Sequence, residues 1–193
     1  MPSPFNEAAL EQAFIELLSE QGYPHAFGNT LDRDSSDDVL LKNDLRRFLL
    51  NRYHADNLTR SEADSIIREL NALPASDLYE TNKTISQKIQ DGFLLKREDY
   101  KAKDLYIQLI DYSGLDHQWA PVLEGEAMAV NEVSLNWGDA NIYRFVTQLE
   151  ITGVDNQKRI PDGIIYVNGL PLVVLEFKSM VRAAIHTLDS NHS

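Results

Sequence analysis

The stretch RIPDGIIYVNGLPLVVLEFK, residues 159–178, decides the fold. Residues 164–167 and 172–177 are apolar runs rich in β-branched side chains, and Asn168-Gly169 between them is a strong two-residue hairpin signal. Both faces of this hairpin are apolar near the turn, which predicts a sheet covered on both sides. Three ionisable groups interrupt it: Asp162 on the first strand, Glu176 and Lys178 on the second. Glu176 and Lys178 are two apart and so share a face. Buried charge costs several kcal/mol unless it is paired or bound to metal, so this trio needs an explanation.

Two explanations stand side by side. Two carboxylates and the backbone carbonyl of Phe177 form a hard-oxygen set suited to Mg²⁺ or Mn²⁺, with Lys178 orienting or deprotonating a bound water. The same residues also suit an ordinary ion pair of Lys178 with Glu176 or Asp162. Register separates these readings. With a regular two-residue turn, Val167 pairs with Leu170 and Asp162 with Leu175, so Asp162 and Glu176 point to opposite faces. A shared metal therefore predicts either a bulge or an odd loop, the latter pairing Tyr166 with Leu170 and Asp162 with Val174.

Working outward, Leu10, Ala13, Phe14, Leu17 and Leu18 fall at helical spacing, with Asn6 as N-cap and Gly22 as stop, predicting a helix over 7–21. Glu7 and Glu11 lie on or beside its apolar face, and because an inward acid is the less usual arrangement both become candidates. Residues 24–37 read as a loop. Helices are expected over 38–53, from near Ser61 (with Asp64 in a capping-box-like position) to before Pro74, and over 77–90 ending at Gly92. Strands are expected near 104–110, over 127–135 and over 142–151, where polar and apolar residues alternate. The expectation is an α/β (α+β) fold, a mixed β-sheet flanked by helices. One domain, 1–193, would comprise a first core helix (1–23), a helical insertion (about 36–92) and the sheet (about 104–180).

Hydrophobic content of 43% and charged content of 25% suit a globular protein. No apolar run reaches a membrane span and no signal peptide opens the chain, so no membrane role is expected. The absence of cysteine excludes disulfides and thiolate metal sites and fits a cytoplasmic location. A net charge of −12 argues against a passive nucleic-acid binder. Its distribution is uneven: Lys83, Lys88, Lys96, Arg97, Lys101 and Lys103 cluster, whereas residues 104–139 contain no Lys or Arg. The five histidines lack zinc-site spacing, Trp119 and Trp137 read as packing anchors, and no phosphate-binding loop for ATP is present.

The 159–178 segment closely resembles the nuclease hairpin of type I restriction enzyme R subunits, within the PD-(D/E)xK nuclease superfamily, and its Val-Asn-Gly-Leu-Pro-Leu run is a specific hallmark. The opening helix followed by Gly22-Tyr23 also matches, with Glu11 in the acidic helix position, and residues 144–149, containing Gln148, resemble the family's preceding strand. The likeness is strong over about 5–23 and 141–179 and general across 24–140. It implies a PD-(D/E)xK core and a divalent-metal-dependent endonuclease cleaving DNA. Asp162, Glu176, Lys178 and Glu11 would be catalytic. Asp162, Glu176, the Phe177 carbonyl and Glu11 would hold Mg²⁺ or Mn²⁺, and Gln148, Lys158, Arg159 and Arg182 would contact DNA.

Such subunits continue into a helicase-like translocase, assemble with methyltransferase and specificity subunits, and cleave when ATP-driven translocation stalls. One departure is plain. The family's Gln-x-x-x-Tyr helix after the lysine is replaced by AAIHTLDS at 183–190, with Ser190 near the glutamine's place. This chain alone is therefore expected to cleave poorly. A free-standing repair- or resolvase-like nuclease, and a catalytically silent domain docking DNA or subunits, are the competing readings.

Overall fold

The computed structural model describes residues 7–72, 78–113, 141–153 and 156–178. Within these residues four α-helices, α1 (Glu7–Glu20), α2 (Lys42–Arg52), α3 (Arg60–Asn71) and α4 (Leu78–Asp91), accompany eight short strands. The strands are β1 (His25–Phe27), β2 (Phe93–Leu95), β3 (Leu105–Ile107), β4 (Tyr143–Thr147), β5 (Ile151–Thr152), β6 (Lys158–Arg159), β7 (Gly163–Val167) and β8 (Leu170–Leu175). A mixed sheet of order β1-β4-β7-β8 is the frame. β1 runs parallel to β4, while β4–β7 and β7–β8 are antiparallel. The expected mixed sheet with flanking helices is thus present.

Several expectations need correction. Residues 25–27, read as loop, form β1; three residues are too few to display alternation, and their partner in β4 lies more than a hundred positions away. The strand expected over 142–151 stops at Thr147, because Gln148 turns into the left-handed region (φ 56). Its continuation, β5, pairs with β6 in a separate ribbon. The strand near 104–110 shortens to β3 and pairs with β2, which had shown no strand signal. The cap of α3 is Thr59 with Glu62, whose side chain and backbone bond reciprocally; Asp64 instead pairs with Arg46 at 2.6 Å. The strand expected over 127–135 lies outside the described residues.

The core divides around the hairpin. Leu45, Phe48, Leu49, Ile66, Ile67, Ile107 and Leu109 from the helices and the β3 region pack with Val167 and Leu170 of the hairpin turn. A smaller cluster joins Leu41, Val146, Leu149, Ile164 and Tyr166. The turn itself is buried, and the Asn168 side chain is engaged through both its nitrogen and its oxygen. Asn168 donates to the Leu109 carbonyl (2.9 Å) and to Asn141 Oδ1 (2.8 Å), and its Oδ1 accepts from Ile142 N–H (2.7 Å). The Gly169 carbonyl accepts from Leu41 N–H (2.9 Å) at the start of α2, and Tyr166 Oη donates to the Val39 carbonyl (3.0 Å). The helical segment is thereby fastened to the closed end of the hairpin, leaving the open end as the place where Asp162, Glu176 and Lys178 stand.

Both faces of the hairpin are not covered along its length. β8 is the last strand in the sheet order, and its Leu172, Val173 and Val174 are exposed. Coverage holds only near the turn.

Candidate functional site at the open end of the hairpin

The turn is the two-residue kind, with Asn168 and Gly169 both left-handed (φ 52 and 78) and Val167 opposite Leu170. The odd-loop register is therefore absent. The other expected solution is present: the pairing shifts between Ile165 and Tyr166. Tyr166 faces Pro171 but Ile165 faces Val173, so Leu172 is the extra residue of a bulge. Beyond it Ile164 faces Val174 and Gly163 faces Leu175. Continued by one step, this register sets Asp162 opposite Glu176, on one face rather than two.

Asp162 immediately precedes β7, and Glu176, Phe177 and Lys178 immediately follow β8. Asp162 is half-buried, and its carboxylate accepts a short hydrogen bond from Phe177 N–H. Glu176 and Lys178 are exposed, contrary to the burial inferred from the apolar run around them. Among the described residues the run ends the sheet, so its end meets solvent. Among the described residues, Lys178 forms no ion pair with Asp162 or Glu176. The ordinary ion-pair reading of the trio therefore finds no counterpart in this geometry.

The first helix approaches the same end. Phe14 packs on Phe177 with ring centroids 4.9 Å apart. Glu11, one turn earlier and half-buried, accepts from Gln148 Nε2 at 3.4 Å. Glu7 is exposed. His25 of β1, passed over by sequence reasoning, places Nε2 2.9 Å from Thr147 Oγ1 beside Gln148. Burial holds the His25 pKa below its ordinary value, opposed by the Glu11 carboxylate. No local spacing could reveal this histidine, because parallel pairing of β1 with β4 brings it there.

Asp162, Glu176, Glu11 and the Phe177 carbonyl are all hard oxygen donors, the chemistry that Mg²⁺ or Mn²⁺ requires. Among the described residues, no three carboxylate or imidazole groups are gathered closely enough to hold a metal ion. Of the expected DNA-contacting residues, Lys158 is exposed and paired with Glu150 at 2.7 Å, Arg159 is exposed on β6, and Gln148 reaches Glu11. Arg182 lies outside the described residues. A cleft of about 630 Å³ lies elsewhere, lined by Ser36, Asp37, Asp38, Asn71, Thr152 and Asn156, and holds none of the candidates.

Comparison with known proteins gives this hairpin end a context. The family model described as the type I restriction enzyme R protein N terminus matches residues 4–193. This chain belongs to that family. Among relatives of this R protein N terminus, it is 27% identical over 193 residues to the type I restriction enzyme HindI endonuclease subunit of Haemophilus influenzae, with 96% of this chain and 16% of that protein covered. It is 23% identical over 176 residues to a Methanocaldococcus jannaschii protein provisionally named the type I restriction enzyme MjaIXP endonuclease subunit, with 88% and 15% covered. The chain thus spans a small fraction of the length of these relatives. No helix among the described residues of this R protein N terminus is long and apolar enough to cross a membrane.

Proposed function

We propose that this chain is the endonuclease domain of a type I restriction R protein, with a PD-(D/E)xK core that cleaves DNA phosphodiester bonds. The observation that carries this reading is the Leu172 bulge: its register, continued one step past Gly163 and Leu175, sets Asp162 and Glu176 on one face rather than on two. A bulge at an otherwise regular hairpin re-aims side chains, and here the side chains re-aimed are two carboxylates.

Asp162, Glu176 and the Phe177 carbonyl would hold a divalent cation, Mg²⁺ or Mn²⁺, with Glu11 joining directly or, at the separation seen here, through a bound water. When bound, such an ion polarises a phosphoryl oxygen and lowers the pKa of a coordinated water. Asp162 is oriented by Phe177 N–H, which fixes one carboxylate oxygen and leaves the other for a ligand. Lys178, exposed beside Phe177, presents an ammonium to the incoming phosphate and to the attacking water. Phe14 against Phe177 seats α1 beside this end and brings Glu11 with it. Translocation driven by ATP, and partnership with methyltransferase and specificity subunits, belong in this proposal to the rest of the assembly. Membership of the R protein family favours this over a free-standing nuclease.

The test is to place Asp162→Ala, Glu176→Ala and Lys178→Ala separately in the R protein assembled with its partners. Each is expected to abolish DNA cleavage while ATP hydrolysis continues. Cleavage persisting in any of the three variants would overturn the assignment of that residue, and persistence in all three the reading itself.

A further inference from the structure

Gln148 directly follows β4 in the left-handed region, with φ 56, where a residue carrying a Cβ is strained. Its surroundings leave little choice. A Cβ on Gly28, in the turn after β1, would fall 2.4 Å from Leu149 Cα and 2.6 Å from the Gln148 carbonyl oxygen, so the two backbones press directly on each other. Thr147 before it and Leu149 after it are fully buried, and the Thr147 hydroxyl is engaged by His25. Between these anchors only Gln148 is turned outward, and its side-chain amide donates to Glu11 Oε1 at 3.4 Å, across 137 positions of sequence. The helix that carries Glu11 is lightly seated, since α1 has no buried residue.

We propose that Gln148 is a positioning residue, whose amide tethers the Glu11 carboxylate of α1 beside the open end of the hairpin. This rests on the metal-nuclease reading above and assigns Gln148 a task within it. A helix held by half-buried contacts does not fix an acid to the precision a metal ligand needs. A donor from the sheet does so, occupying one carboxylate oxygen and leaving the other free. The strained backbone is what aims that donor, because a right-handed or extended residue at 148 would send the side chain elsewhere.

The experiment measures Mn²⁺ binding to the full 193-residue chain by electron paramagnetic resonance, with the melting temperature of each variant. Gln148→Ala and Gln148→Gly are each expected to weaken Mn²⁺ binding roughly tenfold, the low end for removing an outer partner of a metal ligand. Glu11→Ala should weaken it at least as much, and the double variant Glu11→Ala/Gln148→Ala no further than Glu11→Ala. Gln148→Gly relieves the left-handed strain, so its melting temperature should hold or rise while affinity falls, which separates positioning from folding. Unchanged Mn²⁺ affinity in both Gln148 variants would overturn the inference. So would an additional loss in the double variant, which would give Gln148 a role in metal binding independent of Glu11. Full affinity in Asp162→Ala would overturn the metal reading itself; lost affinity there with intact Gln148 variants overturns only the positioning role.

Discussion

A Cβ at position 169 would stand 2.3 Å from the Leu41 carbonyl oxygen and 3.0 Å from Leu45 nitrogen, in a turn already at φ 78. Both features exclude a side chain there: the backbone conformation disfavours one and α2 occupies its space. Gly169→Ala is therefore expected to destabilise the chain by about 2–4 kcal/mol, combining left-handed strain with displacement of the α2 start. Urea unfolding checks this, and a loss under ~0.5 kcal/mol would mean that the turn is not wedged against α2. The site residues behave differently at the same scale. Asp162 is half-buried and accepts Phe177 N–H, so Asp162→Ala should cost about 1 kcal/mol. Glu176 and Lys178 are exposed, and their alanine variants should stay within ~0.5 kcal/mol of the parent. Loss of cleavage in those two variants is thereby separable from loss of fold.

Among the elements, α3 carries the most heavily engaged acid. The Glu62 carboxylate, nearly inaccessible, accepts from Arg97 Nε (2.7 Å) and Nη2 (3.1 Å), from the backbone N–H of Thr59 (2.9 Å) and Glu98 (3.1 Å), and from the Thr59 hydroxyl (3.1 Å). Burial alone would raise its pKa, but Arg97 and these donors outweigh it and bring the value down to about 2. The folded pKa lies below the unfolded one, so the stabilisation is fully present above about pH 4.5 and is lost as pH falls towards about 2. Its size is about 3 kcal/mol, and Glu62→Gln should flatten the acid limb of stability against pH by most of that amount. Denaturant midpoints from about pH 2 to 6 measure it, and an unchanged acid limb would refute it.

The Thr59-x-x-Glu62 pattern stands in the sequence, but the expected box was set two residues late, at Ser61 and Asp64; Asp64 is instead taken up by Arg46. The hairpin was legible because Asn-Gly demands one turn type. The bulge was legible as a requirement of shared chemistry, while its location at Leu172 was not. Short β1, the exposed edge of β8 and the Gln148–Glu11 contact depend on which distant segments meet, which local pattern does not encode.

For the whole molecule, the balance of charge governs how it meets DNA. A net charge of −12 opposes a polyanion, and affinity for DNA backbone comes from Lys and Arg released to neutralise phosphates. Many of those cations are already committed: Arg144 to Asp44, Arg97 to Glu62, Arg52 to Asp111, Lys42 to Asp34 and Asp38, and Lys158 to Glu150. Mg²⁺ sites of two or three carboxylates also lean on substrate phosphates to complete their shell, so weak DNA contact means weak metal binding as well. The chain corresponds to only 16% of its Haemophilus influenzae relative, and in the proposed function DNA delivery falls to the remainder. The expected outcome is that this chain alone, incubated with plasmid DNA over a range of Mg²⁺ and Mn²⁺ concentrations at low salt, leaves nearly all of the plasmid supercoiled. Agarose gels of the time course give the fraction nicked or linearised. Raising the salt should abolish any residual cutting, because few phosphate contacts are available to survive screening. Robust cleavage by the chain alone that disappears in Lys178→Ala would show that the hairpin end captures DNA unaided, and the dependence on the larger assembly argued from charge would be wrong.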